Sequence, residues 1–140
     1  MRRFLSLTLA LGLLAGPALS NPWDLIQQIG YKETEANGRW RVEKTIPPEL
    51  RAMAPDFRIT GYYVPVQAQA RVTQFLLVPD PADCPFCGES GYGPTLEVTA
   101  RRAMPDMPEG TRITLKGRLA IDDSDTTYRA VMLENAVLVD

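Results

Sequence analysis

From Phe57 onward the chain is dominated by short runs in which apolar residues recur at every second position. Phe57-Arg58-Ile59-Thr60-Gly61-Tyr62-Tyr63-Val64 is rich in β-branched and aromatic residues and is bounded by Pro65, so it reads as a strand. Arg71 to Val78 follows, and its continuous apolar end, Phe75-Leu76-Leu77-Val78, predicts burial on both faces. Thr95 to Ala100 alternates, with Leu96, Val98 and Ala100 on one side and Glu97 and Thr99 on the other. The most regular run is Arg112 to Ile121, where Ile113, Leu115, Gly117, Leu119 and Ile121 face in and Arg112, Thr114, Lys116 and Arg118 face out. A turn-rich stretch, Asp122-Asp123-Ser124-Asp125, leads into a last strand from Tyr128 to Val139, and these two strands are expected to form a hairpin.

The segment before Phe57 has a different pattern. Asn21 to Gly30 reads as a short helix, with Asn21 as cap, Pro22 in the first turn, Leu25, Ile26 and Ile29 as its apolar face and Gly30 as its stop. Tyr31 to Gly38 is polar, Arg39 to Glu43 reads as a short strand, and Pro47 to Ala54 as one or two helical turns ended by Pro55. Together residues 21–56 predict a helical wrap laid over a sheet that occupies 57–140. Five strands, two of them with an interior glycine (Gly61 and Gly117), require sharp bends or bulges. The predicted fold class is therefore mainly β: a small five-stranded barrel of the OB (oligonucleotide-binding) type with a short N-terminal helical wrap. A two-sheet sandwich is the alternative.

The first twenty residues belong to neither part. Arg2 and Arg3 precede an apolar run from Phe4 to Leu14, followed by Pro17 and the small-residue site Ala18-Leu19-Ser20. That order is a secretory signal peptide with cleavage expected between Ser20 and Asn21, which places the mature protein in the periplasm. The apolar run is about eleven residues against the roughly twenty that span a bilayer, so no membrane span is expected after cleavage. Removing Arg2 and Arg3 from the 15 basic side chains leaves 13 against 17 acidic ones, a net charge of −4. An acidic domain of this kind is not a nucleic-acid binder. Arg101-Arg102 and the row Arg112, Lys116, Arg118 read as a solvated strand face.

Candidate chemistry centres on Cys84-Pro85-Phe86-Cys87. An oxidoreductase of the thioredoxin type needs a helix behind the first cysteine to stabilise its thiolate. The residues that follow here, Gly88 to Pro94, do not favour a helix, and Asp80, Asp83 and Glu89 oppose a thiolate by like charge. Covalent haem attachment needs a histidine after the second cysteine, and the chain has none. The same lack excludes Ser-His-Asp and histidine-ligated metal catalysis. Copper or zinc could take the two thiolates, with Met104 and Met107 as soft ligands for copper; the competing reading of both methionines is packing. The oxidising compartment favours a structural disulfide, whose four-residue ring constrains the unfolded chain by about 2 kcal/mol. Asp123, Asp125, Thr127 and Glu134 match part of a calcium-loop spacing, but Tyr128 stands where that loop needs glycine, so they read as an acidic turn.

The strand Gly61-Tyr62-Tyr63-Val64-Pro65, the strand Phe75-Leu76-Leu77-Val78-Pro79, the cysteine-bearing loop and the late Lys116-Gly117-Arg118-Leu119 strand together resemble a DUF3299-like family of exported bacterial proteins, over roughly residues 57–138. The resemblance implies a small OB-like barrel and a periplasmic location, without an assigned reaction and without catalytic residues to carry over. Many members carry histidine in the cysteine loop; this chain departs from them there. The expected function is a non-enzymatic binding or accessory module, free of cofactor, for a protein or small-molecule partner in the cell envelope. Its loop would include Cys84, Pro85, Phe86, Cys87 and Tyr92. The alternative is a thiol-based copper, zinc or redox protein acting through Cys84 and Cys87.

Overall fold

The computed structural model describes residues 21–82 and 94–139. Helix α1, Pro22–Gln27, starts as the sequence requires: the Asn21 side chain accepts from the Trp23 amide at 3.1 Å, and Pro22 takes the first turn, where no amide donor is needed. Trp23, Leu25, Ile26 and Ile29 are all buried. Gly30, expected to stop the helix, instead begins strand β1, Gly30–Ala36. Gln28 closes α1 in right-handed conformation with its amide on the Leu25 and Ile26 carbonyls, so no left-handed glycine is needed.

Strand β1 was not expected; it pairs antiparallel with β2, Arg39–Thr45. Its residues are polar, and exposed from Tyr31 onward, so no burial pattern marks it in the sequence. The turn is Asn37-Gly38, both left-handed at φ of 55° and 68°, the geometry a two-residue asparagine-glycine turn supplies. Helix α2, Pro48–Met53, follows. Pro55 does not end the helical segment; it sits inside a 3-10 turn, Ala54–Asp56, whose backbone angles suit its fixed ring.

The remaining strands are β3 (Phe57–Pro65), β4 (Arg71–Val78), β5 (Leu96–Pro105), β6 (Arg112–Ile121) and β7 (Val131–Leu138). They close into a barrel in the order β3-β4-β5-β7-β6, with β6 returning to β3. The β5–β7 pair is parallel and every other pair antiparallel, giving the mixed, OB-like five-stranded barrel. Phe57, Ile59 and Tyr63 of β3 are buried, as are Ile113, Leu115 and Leu119 of β6, in line with the alternation of their strands. Burial on both faces of β4 is confined to Leu77 and Val78, because Leu76 stays partly exposed. β5 runs on to Pro105 through a register irregularity that sets Val72 opposite Met104 and Gln74 opposite Thr99. β7 starts at Val131 rather than Tyr128, because residues 122–130 are held as a loop. Trp23, Leu25, Ile26, Ile29, Ile46 and Leu50 join the barrel side chains in one apolar cluster, so the wrap is part of the core.

Both interior glycines sit where main chain meets main chain. A Cβ on Gly61 would lie 2.7 Å from the Val78 carbonyl oxygen and 2.8 Å from Leu77 Cγ. One on Gly117 would lie 2.7 Å from the Glu134 carbonyl oxygen. At Gly117 the β6–β7 register also slips: Lys116 faces Val137 and Arg118 faces Glu134, leaving Asn135 and Ala136 opposite one glycine. Asn135 takes φ of 53°, the left-handed position of such a bulge. At the far end of β3, the buried Tyr63 hydroxyl donates to Asp106 Oδ1 at 2.6 Å, while the Tyr63 amide and carbonyl bond Thr111 and Gly110. This ties the β5–β6 connection to the barrel wall.

Gly61→Ala is expected to destabilise the fold by about 3 kcal/mol through overpacking against backbone that cannot yield. Gly38→Ala meets no atom within 4 Å and costs only its left-handed angle, about 1 kcal/mol. Urea unfolding of the two variants checks the difference; equal midpoints would remove the close-approach argument.

Candidate functional site

The loop between β4 and β5 leaves the barrel just beyond the Leu77–Leu96 pair. Cys84, Pro85, Phe86, Cys87 and Tyr92 lie outside the described residues, as do residues 1–20, where the signal peptide was expected. The stems of the loop are described, and they enter two grooves on either side of α1. Pro79 lines a groove of about 770 Å³ with Asn21, Trp23, Arg58, Tyr62 and Arg112. Pro94 and Thr95 line a second, of about 510 Å³, with Ile29, Tyr31, Tyr128 and Arg129.

Trp23 fixes the first groove. Its indole Nε1 donates to the Thr60 carbonyl at 2.7 Å, and its ring lies over Gly61, within 3.0 Å of where a Cβ would stand. The tie places α1 against β3 and leaves the outward side chains of β3 along the groove.

The second groove depends on the β1–β2 hairpin. Tyr31 and Glu33 share one face with Trp40, Val42 and Lys44 across the pair. That face packs on the 122–130 loop. The Val42 amide donates to the Asp125 carbonyl at 2.8 Å. The Lys44 side chain is 2% exposed, and its ammonium donates to the Asp122 and Arg129 carbonyls at 2.8 and 2.5 Å. Asp122 stands 3.7 Å from the same ammonium. Arg41 meets Asp125 at 2.7 Å and Arg51 meets Asp123 at 2.5 Å. The acidic turn thus serves as a clasp for three cations of the wrap, and Glu134 is taken by Arg118.

Tyr128, on the clasped loop, contacts both hairpin aromatics. Its ring centroid is 5.8 Å from Tyr31 and 5.1 Å from Trp40. Glu33 accepts from Trp40 Nε1 at 3.1 Å. Hydrogen bonds from Tyr128 and Trp40 hold the Glu33 carboxyl below its usual range. Asp122 is lowered by hydrogen bonds from Ser124, and Asp123 by the Arg51 guanidinium. The three aromatic rings remain substantially exposed.

Met104 and Met107 lie away from the loop stems. Met104 is buried in β5 opposite Val72, eight residues along the strand from Leu96, and Met107 packs against the core. Among the described residues no group of three or more histidine, cysteine, aspartate or glutamate side chains is placed to hold a metal ion. Nor is any helix among them long and apolar enough to cross a membrane. Of the basic row read as a solvated face, Lys116 pairs with Asp56 and Arg118 with Glu134, while Arg112 lines the first groove. The hairpin and its aromatic cluster were missed by sequence reading; Asn37-Gly38 was the signal that carried them.

A scan of family models, a search of curated proteins and a search of solved structures each find no match to the chain.

Carboxyls held low in the fold contribute stability above their unfolded values near 4, and lose it as the pH falls through the lower folded values. Hairpin docking is therefore expected to weaken progressively below about pH 4. The Glu33→Gln, Asp123→Asn double variant should lose stability at neutral pH and show a flatter acid limb. Trp40 fluorescence and urea midpoints between pH 7 and pH 3 measure it; an unchanged acid limb would detach these carboxylates from the docking.

Proposed function

We propose that the chain is an exported, non-catalytic OB-like binding module whose working edge is the end of the barrel where the Cys84–Cys87 loop emerges. The observation that carries this reading is the rooting of that loop: its stem residues Pro79, Pro94 and Thr95 are also walls of the two grooves beside α1. A loop set on a rigid barrel between two concave surfaces is the usual arrangement of a recognition site. In this reading Cys84 and Cys87 form a structural disulfide that fixes the loop from Pro79 to Pro94, and Pro85, Phe86 and Tyr92 meet the partner. The motif resemblance to the DUF3299-like exported family rests on the residues given above and points the same way.

Export is supported by the position of the expected cut. Cleavage between Ser20 and Asn21 leaves the cap of α1 whole, with Pro22 and Trp23 already committed to the helix.

The alternative, in which Cys84 and Cys87 act directly as metal ligands or a redox pair, differs in one measurable property. Under the binding-module reading, the purified chain beginning at Asn21 exposes no titratable thiol until reductant is added, then two, and carries no stoichiometric copper or zinc. Reactive thiols before reduction, or one metal ion per chain, would replace this reading with the thiol-based one. Mass spectrometry of the protein recovered from a periplasmic fraction is expected to give a chain that starts at Asn21; a mass retaining Met1 would remove the export proposal.

A further inference from the structure

The groove beside α1 contains charge that no ion pair among the described residues uses. On the outer face of the β3–β6 pair, Arg58 stands opposite Lys116, Thr60 opposite Thr114 and Tyr62 opposite Arg112. Their sequence neighbours Phe57, Ile59, Ile113 and Leu115 are buried, so the alternation sends this set outward. The two threonine hydroxyls bond each other at 2.8 Å, and Lys116 is taken by Asp56 at 2.9 Å. Arg58 and Arg112 form no ion pair among the described residues, whereas Arg41, Arg51, Arg118 and Arg129 each hold a carboxylate. Both guanidiniums line the same groove of about 770 Å³, where the one acid among the described lining residues is Glu49.

We infer that this groove binds an elongated ligand carrying an oxyanion, carboxylate or phosphate, at each end. The planar guanidinium fork matches both oxyanions through two parallel hydrogen bonds. Arg58 and Arg112 lie diagonally, about 13 Å apart along the strands, so each end of the groove has its own cation. The groove is also lined by Trp23, Met53, Ile59 and Tyr62, with Thr60 already engaged by Thr114. A ligand with a largely apolar middle and two charged ends is complementary to that lining. The assignment rests on the binding-module reading and names the ligand class of its first groove.

The test is titration of the chain beginning at Asn21, in a Trp40→Phe background that leaves Trp23 as the reporting indole. The probes are suberate and hexane-1,6-diyl bisphosphate, with hexanoate as a single-ended control at constant ionic strength, and calorimetry as a second readout. At least one of the two-ended probes should saturate and bind at least about tenfold more tightly than hexanoate. Arg58→Ala and Arg112→Ala should each weaken it about tenfold, the loss of one charge-assisted contact, without moving the melting temperature. Saturation by suberate alone assigns carboxylates and by the bisphosphate alone assigns phosphates; either upholds the site. No saturation by either, or binding undiminished in the double arginine variant, overturns it. The thiol titration decides the binding-module reading separately: reactive thiols there would leave saturation by a two-ended probe standing.

Discussion

The barrel closes because main chain can pass main chain at two points without a side chain between them. At Gly61 the β3 backbone lies against the Val78 carbonyl and at Gly117 the β6 backbone lies against the Glu134 carbonyl, each closer than any Cβ could tolerate. These are the points where β3 changes partner from β6 to β4 and where β6 slips register against β7. A five-stranded sheet needs such local coiling to meet its own edge, and glycine opposite a bulge supplies it with least strain. The same approach at Gly61 makes room for Trp23, so barrel closure and the seating of α1 share one cause.

The second dependency is electrostatic and lies outside the barrel. The β1–β2 hairpin is polar and has little apolar surface of its own, so it is placed by the 122–130 loop. A buried ammonium with two backbone acceptors is a directional tie, and an isolated buried charge of that kind would be costly without them. Arg41 and Arg51 add exposed pairs that contribute modestly each and orient the loop as a group. Tyr128 then stands between Tyr31 and Trp40, so the wall of the second groove is a consequence of that tie.

The distribution of charge separates structural from available groups. Acids of the 122–130 turn, Glu97 and Glu134 all engage arginine or lysine side chains, which accounts for the acidic turn without a bound cation. Arg58 and Arg112, without an ion pair among the described residues, stand in a concave setting. Met104 and Met107, by contrast, belong to packing, where a flexible thioether fills irregular space at the end of β5.

The sequence by itself determined the barrel: the β-branched and aromatic run of β3, the alternation of β6, the two interior glycines and the N-cap of α1 each have a local physical cause that survives without knowledge of neighbours. It also determined the absence of histidine chemistry and the position of the cysteine pair. Strand β1 was hidden because its residues are polar and exposed, so that only Asn37-Gly38 announced it; the end of α1 shifted because a six-residue helix needs no left-handed stop. The grooves were beyond sequence reading for a different reason. Whether Arg112 is a solvated strand residue or the wall of a site depends on β3 pairing with β6 and on Trp23 anchoring α1 to the Thr60 carbonyl. Those are contacts between residues 37 to 54 positions apart, and no local pattern encodes them.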